Sequence, residues 1–391
     1  MFFDVTNTVI NIFYLIIIVF SGFVILYLRR KAEGSKSLYK LLLIFYGIII
    51  SKIVFIKMNL FFINQLSFIL FIILLFELSM RLTNENINNK STKIFFSMLI
   101  LNLFIVGFLA FLLITESIVH ILIFAILLCA VEYFMIDELK KEGDISSPLI
   151  IFIVFTALYY NELNNFTGLE KIYSILQYLL IGLGMGIIFS IITFKILKPK
   201  KIDWMQEIML AFTAYLAYII TELANGSGIL AVIIFGVFFG NSNIRKKSEI
   251  KTLSPFLFKS TEVLIFILLG IISSQYIDYV LYNKEIIYNA LFILAAYYII
   301  RFLITSIFYK KYSIHNKLLI TLAPKGIMYA TAIIVLSKKL SNSITASMIL
   351  ILIISLIITW ITEIFENKRI KKMDLFFETV KNIRYGKKRK H

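Results

Sequence analysis

The 391-residue chain has one cysteine, four prolines and three histidines. A lone Cys129 excludes a disulfide framework or a thiolate metal site within one chain. His120, His315 and His391 form no His-rich box, and neither a metal-spaced acid pair nor a Ser/His nucleophile set stands beside them, so a membrane enzyme has little to be built from. Glycine is modest at 16 residues, and a Gly- or Ser-rich linker, a low-complexity tract and a short repeat are all missing. Acids are scarce too, 23 against 40 Lys and Arg, for a net charge of +17. That excess is dispersed over many short segments instead of being gathered on one soluble region, which argues against a nucleic-acid partner.

What fills the chain is apolar residues: 60% are hydrophobic, 37 are Phe, and the mean hydropathy is +0.90. Such a composition belongs in a bilayer. A hydrocarbon core of ~30 Å takes roughly 20 helical residues to cross. Runs of this kind predict about thirteen spans, near 8–28, 38–56, 60–79, 94–114, 117–136, 142–162, 171–197, 204–223, 227–241, 257–276, 285–308, 318–337 and 343–364. The first run follows Met-Phe-Phe-Asp without a basic flank or an Ala-x-Ala site, so it reads as a retained span. Residues 1–366 read as the transmembrane domain and 367–391 as a basic cytoplasmic tail, whose mixture of apolar and basic residues suits either an anionic lipid surface or a merely solvated end.

Lys and Arg collect on the cytoplasmic side of a membrane protein. Arg29, Arg30, Lys31, Lys36 and Lys40 follow span one, and Arg81, Lys90 and Lys93 follow span three. By alternation Lys140/Lys141, Lys198/Lys200/Lys201, Arg245/Lys246/Lys247, Lys310/Lys311 and the tail fall on the same side, with Lys338/Lys339 the main exception. The N-terminus is then outside and the C-terminus cytoplasmic.

Ionisable residues inside a span cost roughly 2.5–3.5 kcal/mol each and call for a function or a partner. They gather in the second half: Glu222, Lys259, Glu262, Arg301 and Lys325. Lys259, near the cytoplasmic end of its span, suits a snorkelling charge. Lys325 lies between Pro324, which lacks an amide hydrogen, and Gly326, which lacks a β-carbon, a pair able to interrupt a helix. Unwound backbone at depth survives only where it lines a polar cavity or is buried in protein, and a cation there neutralises half-helix carbonyl ends.

These residues sit in recognisable surroundings. Ala217 to Gly240, containing Glu222-Leu-Ala-Asn-Gly-Ser-Gly-Ile-Leu-Ala231, resembles a characteristic span of the monovalent cation:proton antiporters, the sodium/proton exchanger family. Ser260-Thr-Glu-Val-Leu-Ile-Phe-Ile-Leu-Leu-Gly270 is similar to another, with Glu262 at the family's acidic position; Ala323-Pro-Lys-Gly-Ile327 is similar to its broken helix, with Lys325 where an Arg is usual. Arg301 lies in the span that carries the family's arginine, and Leu74-Leu-Phe-Glu77 resembles a first-half element. The resemblance is good over roughly 205–335 and thin before it. It implies an all-α polytopic membrane protein of about thirteen transmembrane helices, with inverted repeats and two crossed, interrupted helices in spans five and twelve. The implied activity is exchange of Na⁺ or K⁺ for H⁺ by a secondary transporter, with no cofactor, and a homodimer is suggested.

Against this pattern Glu142-Gly-Asp-Ile-Ser-Ser-Pro148 aligns with the family's ion site, its Glu and Pro in place, but Ser146 and Ser147 stand where Asn and Asp are expected. Serine hydroxyls can hold Na⁺ or K⁺ as neutral ligands yet do not titrate, while antiport needs one acid that alternates between proton and cation. The remaining candidates are Asp144, three residues from Ser147 on one helical face, and Glu132 in span five. Ser146, Ser147 and Asp144 form the tentative metal-ligand set, and Glu142, by the resemblance, pairs with Arg301. Lys325, Glu262 and Glu222 complete the core support. The alternative is a fold relative that has lost proton coupling: a uniporter, a channel-like protein or a regulatory one. A purely structural protein leaves Pro324-Lys325-Gly326 and the intramembrane acids unexplained.

Overall fold

A computed structural model describes the backbone of residue 22 and of residues 35–53, 60–82, 96–114, 117–130, 137–163, 168–197, 206–241, 247–310 and 312–387. Side chains are described for these residues except 53, 60–62, 137–147, 197, 206–207, 247–257, 315 and 367–387. The described chain is helical almost throughout, as expected where no water is present to satisfy backbone groups. The helices are α1 (Lys36–Ile53), α2 (Leu60–Met80), α3 (Phe96–Leu113), α4 (Ile118–Leu127), α5 (Asp137–Glu162) and α6 (Gly168–Leu197). Then follow α7 (Gln206–Leu223), α8 (Gly228–Asn241), α9 (Lys247–Tyr282), α10 (Lys284–Phe308), α11 (Ile314–Thr321), α12 (Ile327–Leu336) and α13 (Asn342–Lys387).

Among the described residues, six helices are long and apolar enough to cross a membrane, and five shorter apolar helices accompany them. Every expected span from 38–56 onward is occupied by a helix, whole or interrupted. Span one lies outside the described residues except for Gly22, which is helical and buried against Val263. Some helices outrun their apolar cores. α9 starts ten residues before its expected span at 257, and α13 runs on to Lys387, so the backbone of the tail continues the last span without a break.

The closest packing joins α1 to α9. Lys40 meets Glu262, Gly47 meets Gly270 and Ser51 meets Ser274, so the sequence rises along both helices together and the two run parallel. At the middle contact the glycines let the backbones touch: a β-carbon on Gly47 would lie 2.2 Å from the Ile267 carbonyl oxygen. Many buried hydroxyls are satisfied within their own helix, as Ser67, Ser79 and Ser190 bond the carbonyl four residues back. They add little polarity to the core.

Candidate functional site

Two helices stop inside the protein, and their broken ends meet. α4 opens conventionally, with the Ser117 hydroxyl accepting from the His120 amide. It ends in a tight turn, where the Cys129 amide reaches the Ile126 carbonyl and the Ala130 amide the Leu127 carbonyl. Span five was expected over 117–136, with the interruption that the resemblance implies; its helix ends at Leu127, and residues 131–136, with Glu132, lie outside the described residues. The other break is the one expected at Pro324-Lys325-Gly326. α11 ends at Thr321, Gly326 is extended (φ −84°, ψ 176°), and α12 starts at Ile327. This is an interruption, not a kink.

The carboxyl end of a helix presents carbonyls with no intrahelical donor and a partial negative charge. Each of the two ends here receives a buried cation. Lys325, fully buried, donates its Nζ to the Leu128 carbonyl at the end of α4. Arg301, also fully buried, donates Nη1 to the Ala323 carbonyl just beyond α11, 3.2 Å away. Its neighbour one turn earlier, Tyr297, joins both: the Tyr297 hydroxyl accepts from Arg301 at 3.2 Å, and the Lys325 ammonium lies 3.4 Å from the centre of the Tyr297 ring. A cation over an aromatic face is stabilised by the ring quadrupole, more so when desolvated. α13 closes the second break from the far side: Ser355 accepts from the Lys325 amide at 3.3 Å, and Thr359 donates to the Leu322 carbonyl at 3.0 Å.

The other intramembrane charges have separate work. Glu262 pairs with Lys40 at 3.0 Å in the α1–α9 contact, and the Lys40 ammonium also lies 5.2 Å from the Phe266 ring centre. In sequence Lys40 groups with the basic loop before it; in the fold it is inside α1 and only 4% exposed. Glu222 accepts from the Gly228 amide at 3.0 Å across the turn from α7 to α8, whose residue Asn225 adopts a left-handed conformation (φ 56°). The carboxylate thus caps α8, which explains the spacing from Glu222 to Gly228 in the recognised motif. Glu77 accepts from Arg81 one turn along α2, and Lys259 is exposed. Lys339, the exception to the charge pattern, pairs with exposed Glu162 at 3.0 Å.

Glu142, Asp144, Ser146 and Ser147 all lie in the first half of α5, which begins at Asp137 and passes through Pro148 as a helix. Their side chains are outside the described residues, as is any Glu142–Arg301 pair. Sequence context alone does not single out Lys40 or Tyr297. Lys40 carries no local signature, since its partner Glu262 is remote in sequence, and the approach of Tyr297 to Lys325 is made only in the fold. Asn102, a polar residue near the middle of α3, stands out already in the sequence against its apolar surroundings.

A model of the sodium/hydrogen exchanger transmembrane family matches residues 143–365, more than half of the chain. The chain belongs to the sodium/hydrogen exchanger family. It is a multi-pass integral membrane protein and a secondary transporter that exchanges a monovalent cation for protons; it is not an enzyme. Among solved structures it resembles the sodium proton antiporter MjNhaP1 from Methanocaldococcus jannaschii at pH 8, with a TM-score of 0.69 and 17% identity over 92% of this chain and 96% of that one. At that identity the likeness is one of fold, and it extends across the first half, where the family match is silent. No curated protein sequence matches the chain.

Proposed function

We propose that this exchanger carries Na⁺ against H⁺, and that proton and cation compete between the end of α4 and the first turns of α5. The observation that carries the reading is the pair of buried cations on the two broken-helix ends, Lys325 on Leu128 and Arg301 on Ala323. Two buried basic side chains in a low-dielectric interior favour a carboxylate nearby, and residues 131–147, which follow the end of α4 in the chain, contain Glu132, Glu142 and Asp144. With Ser147 in the family's acidic position, Asp144 or Glu132 is the acid that titrates, and Ser146 and Ser147 add neutral oxygens. Pro148 has no amide hydrogen for the carbonyl four residues back, so the Asp144 backbone oxygen lacks its helical donor and is a further oxygen available to cargo. Glu142 ties α5 to Arg301, while Lys325, Glu262 and Glu222 support the core.

The same reading puts the N-terminus outside and the C-terminus in the cytoplasm, with the basic loops facing anionic lipid headgroups. Residues 1–366 are the transport domain and 367–391 a cytoplasmic extension. A homodimer is the proposed assembly.

The test is a proteoliposome assay in which an imposed Na⁺ gradient drives a pH change read by an internal dye, with K⁺ in a parallel series. Native protein should alkalinise or acidify the lumen with the sign of the Na⁺ gradient and respond far less to K⁺. Either Asp144→Asn or Glu132→Gln should abolish the response, and Ser147→Asp should add little to it. Cation flux that ignores pH and survives both neutralisations would replace this reading with an uncoupled transporter.

A further inference from the structure

Capping by Lys325 and Arg301 leaves other polar atoms at the crossing unexplained. α3 is among the most apolar of the spans, with a mean hydropathy of 2.6, yet it buries Asn102, which is 1% exposed. Over Asn102–Val106 the helix widens into a π turn, the Gly107 amide bonding the Asn102 carbonyl. Such a turn holds an extra residue at poorer bonding geometry and recurs at functional sites, where it aims a side chain that a regular helix would point elsewhere. Asn102 is aimed at the end of α4: its Nδ2 donates to the Cys129 sulfur at 3.0 Å. Cys129 is next in sequence to Leu128, whose carbonyl takes Lys325.

The Asn102 carboxamide oxygen, Oδ1, is buried and has no hydrogen-bond partner, and the same is true of the Tyr329 hydroxyl in the first turn of α12, just after Lys325. Desolvated oxygens of this kind are normally answered by a donor or an ion. Both are neutral oxygens, and Asn102 lies beside the end of α4, whose last carbonyls carry partial negative charge. We infer that Asn102 is a coordinating residue for the transported monovalent cation, presenting Oδ1 from span four to cargo at the broken end of α4. The inference rests on the exchanger reading above and extends its site from α4 and α5 to α3. Neutral oxygens lower the desolvation cost of the cation without titrating, so Asn102 sets cation affinity and selectivity while the acid of residues 131–147 sets the proton coupling.

Cys129 is the sole cysteine and makes the test possible in the native chain. In proteoliposomes, alkylation by a membrane-permeant maleimide, followed by intact mass, reports the crossing alone. Saturating Na⁺ should slow labelling of native protein about fivefold, and Asn102→Ala should remove that protection while raising the KM for Na⁺ about tenfold with kcat within twofold, a tenfold loss of affinity being what one good ligand supplies. Asn102→Asp, which keeps an oxygen, should retain protection. Cys129→Ala breaks the amide–sulfur bond but leaves the oxygen, so its KM should stay within twofold. A KM in Asn102→Ala equal to the native value, or the same tenfold rise in Cys129→Ala, overturns the proposal and leaves Asn102 a packing residue. Should Asn102→Ala fail to fold, Asn102→Ser carries the same comparison. If native protein shows no Na⁺-driven proton flux but Na⁺ still protects Cys129 in it and not in the Asn102 variant, exchange is refuted and the cation site stands. Absence of protection in the native protein refutes the site.

Discussion

The α1–α9 contact and the crossing of α4 with the α11–α12 break handle buried charge in opposite ways. In the first, unlike charges meet directly, Lys40 on Glu262, with a serine pair below and touching glycine backbones between. In the second, two cations are set against carbonyl ends and a tyrosine ring, while two buried oxygens stay unanswered. The first arrangement is complete without any ion. The second leaves two oxygens open, and on the proposed reading it is the part that handles cargo while the first holds shape.

Substitutions in the two regions should therefore fail differently. Removing Glu262 strands the buried Lys40 ammonium, and Glu262→Ala should lower unfolding free energy by roughly 3–5 kcal/mol. Thermal unfolding in detergent measures it. The double change with Lys40→Ala should lose less than the sum of the single changes, and the surviving protein should keep its native KM for Na⁺. A raised KM would erase the distinction between the regions.

Gly47→Ala tests the same contact without touching charge. The new methyl must displace backbone, since the Ile267 oxygen lies 2.2 Å from where it would sit, and a loss of about 1–3 kcal/mol is expected from such overpacking. A neutral result would mean the two helices have room to separate. The smallest effect belongs to the exposed pair: Lys339→Ala should shift stability by less than about 1 kcal/mol, because solvent already screens the charge from Glu162. A larger loss would place structural weight on the carboxyl ends of α5 and α12.

Much of this organisation was legible in the sequence, and the exceptions share a cause. Apolar run lengths located the helices, and Pro324 with Gly326 marked the second break because each residue acts on its own backbone. The first break carries no such mark. Residues 118–130 contain neither proline nor glycine, and the end of α4 is met by Lys325, remote in sequence. Lys40 was invisible as a core residue for the same reason, since short-range context made it one more loop cation while its partner is on α9. Local chemistry is written locally, and pairings between distant spans are not. Of the expected ion site, Ser146, Ser147 and Asp144 are placed on α5 in backbone only, whereas Asn102 required seeing which way a π turn points.

The tie from Lys325 to Leu128 also bears on how the chain is made. The two residues are 197 positions apart, so during synthesis span five enters the bilayer long before its cap exists. Until span twelve follows, the carboxyl end of α4 must rely on water or on lipid headgroups for its carbonyls. The first half of the protein is therefore left unfinished by its own synthesis and is completed by the second, which makes the arrival of Lys325 an assembly step and a chain cut short before residue 325 a natural substrate for membrane quality control.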